Sequence, residues 1–405
     1  MTTRLPDAPW QHRAGLAALM SALDGANGAI RYVGGAVRDT LIGLDVSDID
    51  CATILPPETV AGRIRDAGFK AVPTGIAHGT VTAVLPGATV EVTTLRRDVS
   101  TDGRRATVAF TDDWREDAAR RDFTINALFA DPLNREVIDY FGGLDDLAAG
   151  RIRFIGDPLT RIAEDHLRIL RFFRFHARFG RGKPDAAGLA ACAARANDLM
   201  GLSRERIADE LLKLLALPDP RETVALMHAQ GIFAPVLPEI ETTGIARLAR
   251  LIGREAIAGI APDAARRLAA LLPRDPVTVV QVAARLRLSN AIRGRLELLA
   301  SPPAADAPPV PIAYRHPDAA IDLILLSDSD DAALAAAIAM LDGWQRPVFP
   351  LKGGDLVKRG LRPGPRVAAA LQSIERNWIA AGFPSDDWVE RAAAAAVDQA
   401  LRDRQ

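Results

Sequence analysis

Strand-forming runs crowd the first part of this chain and nearly vanish after Arg151. Runs rich in β-branched and apolar residues fall at Ile30–Val33, Ile49–Ile54, Lys70–Val72, Gly79–Leu85 and Thr89–Leu95. Further strands are predicted at Ala106–Phe110, around Phe129 and at Val137–Asp139, and helices at Pro57–Ala67 and Ala118–Ala127. Beyond Arg151 the pattern becomes Ala-, Leu- and Arg-rich helical periodicity. Proline-bearing connections interrupt it near Pro184, Pro218-Asp219-Pro220, Pro235–Pro238, Pro273–Pro276 and Ala300–Pro311. The most linker-like stretch runs from Pro302-Pro303 to Pro308-Pro309, and no internal repeat is visible. The expected fold is a mixed α+β unit followed by an all-helical remainder. The strand order is not derivable from these runs.

Several classes are disfavoured at once. Length, at 405 residues, leads to an expectation of two to four domains. A net charge of −1 provides no global basic field for nucleic acid, yet residues 151–215 hold 13 Lys/Arg against 8 Asp/Glu. Cys51 and Cys192 stand far apart, which argues against a disulfide framework or a zinc site. The six histidines show no metal spacing, and His78 in Gly75-Ile76-Ala77-His78-Gly79-Thr80 reads as a turn residue. No uncharged apolar run approaches a membrane span, and the N-terminus lacks the apolar core of a signal peptide. A reducing cytoplasm is the expectation.

The chemistry concentrates first between residues 34 and 50. Gly34-Gly35 follows the strand Ile30–Val33, and two glycines let a backbone approach phosphate and aim N–H groups at it. Val37 to Ile42 reads as a short helix stopped by Gly43. Asp48 and Asp50 then sit two apart at the next strand, where period-two geometry puts both carboxylates on one face. Two convergent carboxylates completed by substrate phosphates suit Mg²⁺. Glu91 shares a strand face with Thr93 and is a candidate third carboxylate.

Two further stretches carry charge in useful patterns. Arg120-Arg121-Asp122-Phe123-Thr124-Ile125-Asn126 opens or extends a predicted helix, where paired arginines suit phosphate and Asp122 suits a ribose hydroxyl. Glu164 to Arg178 reads as one long helix with Glu164, Arg168, Arg171, Phe175 and Arg178 on a shared face and Asp165 beside it. An Asp acceptor next to an Arg donor can pair with a base edge. Cytosine and adenine both present an amino donor beside a ring-nitrogen acceptor; guanine and uracil present the reverse. One Asp/Arg pair can therefore accept C and A and reject G and U.

With these residues in view, the chain resembles the bacterial tRNA nucleotidyltransferases and poly(A) polymerases, the class II branch of the polymerase-β-like superfamily. Gly34-Gly35-Ala36-Val37-Arg38-Asp39 with Asp48-Ile49-Asp50 resembles the family's first motif, and Arg120 to Ala127 its second. Asp139 to Leu147, leading to Ile155-Gly156-Asp157-Pro158, resembles the head–neck connection. Glu164-Asp165, Arg168 and Arg171 resemble the nucleotide-selecting motif, followed by the neck helix with Ser203-Arg204-Glu205-Arg206-Ile207 and Glu210-Leu211.

The resemblance implies a nucleotidyltransferase (polymerase-β-like) α+β head over residues 1–150. A helical neck over 151–215, a helical body over 216–300 and a helical tail binding tRNA over 301–405 would follow. It implies that Asp48 and Asp50 hold Mg²⁺ and activate the RNA 3′-hydroxyl, with Glu91 as third carboxylate. Gly34, Gly35 and Arg38 would hold the triphosphate. Arg121 and Asp122 would place the ribose. Asp165 and Arg168 would select CTP and ATP, Asn126 and Arg171 would join them as nucleotide-binding residues, and Arg97 to Asp112, with Gly103-Arg104-Arg105, would form a flexible loop associated with the switch from C to A. The C-terminal segment Leu351 to Leu356 with Gly360 to Val367 resembles the tail of bacterial CCA-adding enzymes. There Lys358, Arg359, Arg362 and Arg366 surround a predicted helix start at Pro363-Gly364-Pro365 and would meet RNA phosphate. CCA addition to the tRNA 3′ end is the favoured expectation. Poly(A) synthesis, addition of CC or A alone, a silent RNA-binding module, and transfer to a protein or small molecule stay open. Nothing in the sequence names a protein partner or points to a membrane.

Overall fold

The computed structural model describes residues 3–101 and 106–402. Nine strands are described: β1 (Ile30–Val33), β2 (Ile49–Thr53), β3 (Lys70–Gly75), β4 (Thr80–Leu85), β5 (Ala88–Thr94), β6 (Arg96–Thr101), β7 (Ala106–Phe110), β8 (Leu128–Ala130) and β9 (Val137–Asp139). All lie before residue 140, as the sequence leads one to expect. Seven form one mixed sheet in the order β3-β4-β5-β2-β1-β8-β9, and β6 and β7 pair separately. Only β2 and β5 run parallel; their register sets Asp50 beside Glu91 and Cys51 beside Val92. The first helices are α1 (Leu16–Ala22), α2 (Gly35–Leu41), α3 (Pro57–Asp66), α4 (Trp114–Ala119) and α5 (Gly143–Ala149). Leu16 and Leu19 of α1 and Val60 and Ile64 of α3 are buried with the sheet residues Val81, Ala83, Val90 and Val92.

The helical part begins with α6 (Pro158–Glu164), α7 (Arg168–Phe179), α8 (Ala186–Ala194), α9 (Arg204–Leu215) and α10 (Arg221–Ala229). It continues with α11 (Thr242–Ala258), α12 (Ala264–Leu271), α13 (Pro276–Arg285), α14 (Asn290–Leu299), α15 (Pro309–Arg315) and α16 (Ala320–Leu326). The last are α17 (Asp331–Leu341), α18 (Gly353–Lys358), α19 (Pro365–Ala380) and α20 (Asp386–Arg402). One apolar core runs without interruption from Leu5 to Leu334. The join between sheet and helices is aromatic. Phe123 stands 4.9 Å from Phe154 and 5.2 Å from Phe175, and Phe154 stacks on Phe172 at 5.6 Å. Each such ring contributes about 1.5–3 kcal/mol by burial, so α7 is held firmly against the sheet unit.

A buried charge network fixes α9 from behind. Glu255 takes Arg266 at 2.6 Å and Arg267 at 2.8 Å, and Arg267 donates to the Leu215 carbonyl at 2.8 Å and the Pro218 carbonyl at 3.0 Å. The carbonyls that end a helix lack intrahelical donors, and a guanidinium there satisfies them. From Tyr314 onward a second core forms around Leu356, Ile374, Trp378 and Val389. The linker-like stretch ends at Pro309, the first residue of α15.

Three expectations need correction. The helix predicted over Ala118–Ala127 stops at Ala119. Phe123 is extended and bridges to Phe154, and Thr124 N–H donates to the Arg153 carbonyl at 3.0 Å. That pairing satisfies the backbone that a helix would otherwise have used. The single helix predicted from Glu164 to Arg178 is two helices, α6 and α7, broken at Asp165 (φ −150°, ψ 105°). The break is self-capped: Asp165 Oδ1 accepts from Leu167 N at 3.1 Å, and its carbonyl accepts from Arg168 N at 3.0 Å. The stretch read as a flexible loop from Arg97 to Asp112 carries the paired strands β6 and β7, while Gly103-Arg104-Arg105 lies outside the described residues.

Candidate active site

The β1–α2 turn makes the first wall. Gly34 takes φ +68°, a conformation that strains any side chain, and α2 starts at Gly35 with its first N–H groups exposed to the turn. The strand β2 next to β1 brings Asp50 to the same edge, with Asp48 just before it. The parallel neighbour β5 adds Glu91 in register. Between them, the turn after α4 supplies Arg120, Arg121 and Asp122, and α7 closes the far side. A cleft of about 810 Å³ results. Gly34, Gly35, Arg38, Asp48, Asp50, Glu91, Arg121, Asp122, Asn126, Asp165, Arg168 and Arg171 all line it. The sequence reading thus named residues that the fold does bring together, across segments far apart in the chain.

Four lining residues were not assigned from sequence: Arg120, Arg174, Phe175 and Lys213. Arg120 and Phe175 stood inside motifs already singled out. Arg174 follows Arg171 by three and was legible as the next helical position. Lys213 reaches the cleft from α9, where it pairs with Asp209 at 2.6 Å, and no local pattern announces it.

The carboxylates fall into two kinds. Asp122 is buried and fully paired: Oδ1 accepts from Asn126 Nδ2 at 2.9 Å and Phe123 N at 2.8 Å, and Oδ2 accepts from Arg171 Nη2 at 2.6 Å. Burial alone would raise its pKa, but the Arg171 charge and the Asn126 hydrogen bond outweigh that and hold it at about 2. The folded protein therefore binds this proton more weakly than the unfolded chain. Its stabilising contribution is complete above the ordinary value of 3.8 and is lost as the pH falls toward about 2. Asp122→Asn should accordingly lower the melting temperature at pH 6 and show a shrinking difference from wild type as the pH is taken from 5 toward 3. A difference that stays constant over that range contradicts the assignment.

Asp50 behaves oppositely. Burial, then the neighbouring Glu91, push its carboxyl above the usual range, Arg121 opposes, and Asp48 adds to the rise. Negative charge is crowded here and only partly offset by Arg121. The donor set is all oxygen, which suits a hard divalent ion. Among the described residues no group of three His, Cys, Asp or Glu side chains closes on one metal position.

The arginines of the far wall are each tied to a carboxylate. Arg38 is buried, donates to Asp39 at 2.7 Å and to Asn126 Oδ1, and lies 4.2 Å over Phe179. Arg168 donates to Glu164 at 2.6 Å, to the Arg161 carbonyl at 2.8 Å and to the Arg120 carbonyl at 2.9 Å. Arg174 pairs with the buried Glu210 at 2.6 Å, which also lies 3.6 Å from Arg171. Asp165 Oδ2 takes Arg206 at 2.8 Å, and each carboxylate oxygen keeps a second lone pair for a ligand. The break between α6 and α7 sets Asp165 and Arg168 on the same rim of the cleft. In the tail, Lys358 is exposed, while Arg359 is engaged by Glu390 at 2.5 Å. Arg362 and Arg366 are exposed on either side of the α19 start.

Known proteins resemble this chain along most of its length. Residues 30–153 match the family model described as the poly A polymerase head domain, and residues 184–243 match one described as "Probable RNA and SrmB-binding site of polymerase A". The chain is 35% identical to CCA tRNA nucleotidyltransferase 1, mitochondrial, of Mus musculus, over 91% of this chain and 87% of that protein. It is 32% identical to the CCA-adding enzyme of Lacticaseibacillus paracasei, over 91% of this chain and 92% of that protein. The solved Bacillus stearothermophilus CCA-adding enzyme in complex with CTP superposes with a TM-score of 0.75 at 26% identity, covering 98% of this chain and 99% of that one. Among the described residues no helix is long and apolar enough to cross a membrane.

Proposed function

The chain belongs to the CCA-adding tRNA nucleotidyltransferase family, and on that footing we propose that it adds CMP and AMP, from CTP and ATP, to the 3′ end of tRNA and releases pyrophosphate. No nucleic-acid template is needed, because the cleft itself offers a reading edge. One observation carries this: a glycine phosphate turn, an oxygen-only carboxylate set and an Asp/Arg rim line a single cleft.

In this reading the Gly34-Gly35 turn, with Arg38, holds the triphosphate through the Gly35 N–H, the Gly34 N–H being taken by the Leu128 carbonyl at 3.0 Å; Arg121, assigned by resemblance to the ribose, turns Nη1 toward Gly34 and joins the phosphate side. Asp122, whose oxygens are filled by Arg171, Asn126 and the Phe123 N–H, would place the ribose through these partners rather than by accepting from it. Asp165 accepts from the exocyclic amino group of cytosine or adenine, while Arg168 donates to the adjacent ring nitrogen. Asp48 and Asp50 would hold Mg²⁺, with Glu91 beside them. The ion when bound supplies stabilisation of charge on the attacking 3′ oxygen and the departing pyrophosphate. The carboxylates place the 3′-hydroxyl and take its proton as its oxygen bonds to the α-phosphorus and the bond to the α–β bridging oxygen breaks, so that pyrophosphate leaves; the arginines steady the phosphates, and most of the catalysis is positioning. Residues 1–150 serve as catalytic head, 151–215 as neck, 216–300 as body and 301–405 as tail. A reducing, cytoplasmic setting suits the two free, buried cysteines, Cys51 and Cys192.

The test is direct. Incubation with tRNA lacking its 3′ CCA, Mg²⁺ and each labelled nucleotide should yield C, C, A and then stop. Long poly(A) on unstructured RNA without C incorporation contradicts the proposal. The exposed Arg362 and Arg366 are placed to meet tRNA phosphate. Replacing both with Ala should raise KM for tRNA by roughly ten-fold and leave KM for CTP within about two-fold. Equal changes in both constants would remove the tail from RNA binding.

A further inference from the structure

Behind the cleft sits a carboxylate that none of the motifs includes. Asp117 lies on α4 and is 1% exposed. Its Oδ1 takes Arg120 Nε at 2.7 Å and Arg120 Nη2 at 2.6 Å. Its Oδ2 takes Arg121 Nη2 at 3.0 Å and Nε at 3.3 Å. The spacing makes this possible, because residues three and four further on return to the same side of a helix. Asp117 Oδ1 also accepts the backbone N–H of Arg96, the first residue of β6, at 3.3 Å.

The consequence for Arg121 is geometric. A guanidinium has a side fork, Nε with Nη2, and a remaining end at Nη1. Asp117 occupies the side fork, and Phe129 lies under the plane at 5.4 Å. Nη1 is then the end that faces the phosphate turn: a Cβ on Gly34 would stand 3.6 Å from it. The clamp also borders the base-reading rim, since the Arg120 carbonyl accepts from Arg168 Nη2 at 2.9 Å.

We propose that Asp117 is a positioning residue for nucleotide binding, acting through Arg121: it fixes one fork so that Nη1 is presented to the triphosphate at the Gly34 turn. The proposal deepens the nucleotidyltransferase reading and rests on it. Arg120 is held by the same carboxylate and moves with it. A guanidinium fixed in advance loses less freedom when the phosphate arrives, which is why the effect belongs to nucleotide affinity.

The experiment is steady-state kinetics on the full chain with tRNA lacking its 3′ CCA. Asp117→Asn keeps the shape and removes the charge. It should raise KM for CTP and ATP by about ten-fold, with KM for tRNA within about two-fold. Arg121→Met should raise the same constants, and the double variant Asp117→Asn with Arg121→Met should be no worse than Arg121→Met alone. Unchanged nucleotide KM in Asp117→Asn, losses that multiply in the double variant, or an equal rise in KM for tRNA would each overturn the proposal. If Asp117→Asn does not fold, Asp117→Glu keeps the charge but displaces it. It should show the same pattern at smaller size, and unchanged nucleotide constants overturn the proposal equally. An inert wild type would sink the catalytic reading instead. Equilibrium binding of Mg·CTP to wild type and variant then still reads the clamp, with weaker binding expected in the variant and equal binding overturning it.

Discussion

Asp50→Ala should abolish nucleotide addition, lowering kcat by at least about a thousand-fold, while tRNA binding stays within about two-fold of wild type. Asp48→Ala should do the same. Losing a charge-stabilising group that acts only in the transition state typically costs 10²–10³ for one neutral donor, and loss of a site for a divalent ion exceeds that. Neither side chain holds the fold together. Asp48 is exposed and meets only Ser47, at 2.9 Å, and Asp50 is half-buried among like charges. The variants should therefore melt at or above the wild-type temperature, which separates a catalytic from a structural loss. Activity within ten-fold of wild type in either variant, measured with saturating Mg²⁺ and tRNA lacking its 3′ CCA, would remove the pair from the reaction.

Arg168→Ala should cost kcat/KM for CTP and ATP roughly 10–100-fold and relax discrimination against UTP and GTP by a similar factor. A bidentate base contact discriminates by about 1–3 kcal/mol. Asp165→Ala should relax the same choice from the acceptor side. The two differ in their side effects. Arg168 also ties α6 to the Arg120 carbonyl, so its loss loosens the turn. Asp165 makes a local turn onto Leu167 N, just ahead of α7, so its loss loosens the link between α6 and α7. Glu164→Gln weakens the grip on Arg168 and also the pairing with Arg161; it should show an intermediate loss of selectivity. Incorporation assays with all four nucleotides decide the matter. Unchanged preference in Arg168→Ala would place selection elsewhere in the cleft.

How much of this was legible beforehand depends on the range of the interaction. The strand at Ile30–Val33 and the turn at Gly34 follow from local residue types, and both are found where the sequence places them. Asp48 and Asp50 share a face because a strand alternates. Glu91 could be read as a strand residue, but its place beside Asp50 depends on β2 and β5 pairing in parallel, which no local pattern encodes. Asp165 reads as part of a continuous helix because Glu164, Arg168 and Arg171 keep one face through it; an Asp that bonds the backbone two residues on also favours a turn, and the turn prevails. Asp117 carries no distinguishing signal in Trp114-Arg115-Glu116-Asp117. Its meaning lay in the spacing to Arg120 and Arg121 and became visible only once burial was known. Lys213 had no local signal at all.

The parallel pairing of β2 with β5 also governs when the protein can begin to work. Those strands meet only after the whole β3–β4 excursion has closed between them, and closing such a loop costs entropy before any contact repays it. The remaining walls arrive later along the chain, ending with Lys213 on α9. A growing polypeptide therefore holds no half-competent version of the centre during synthesis. Until α9 has emerged and docked, the nascent chain carries its carboxylates and arginines on separate pieces, and a product cut short within that interval is not a weak enzyme but an inert one.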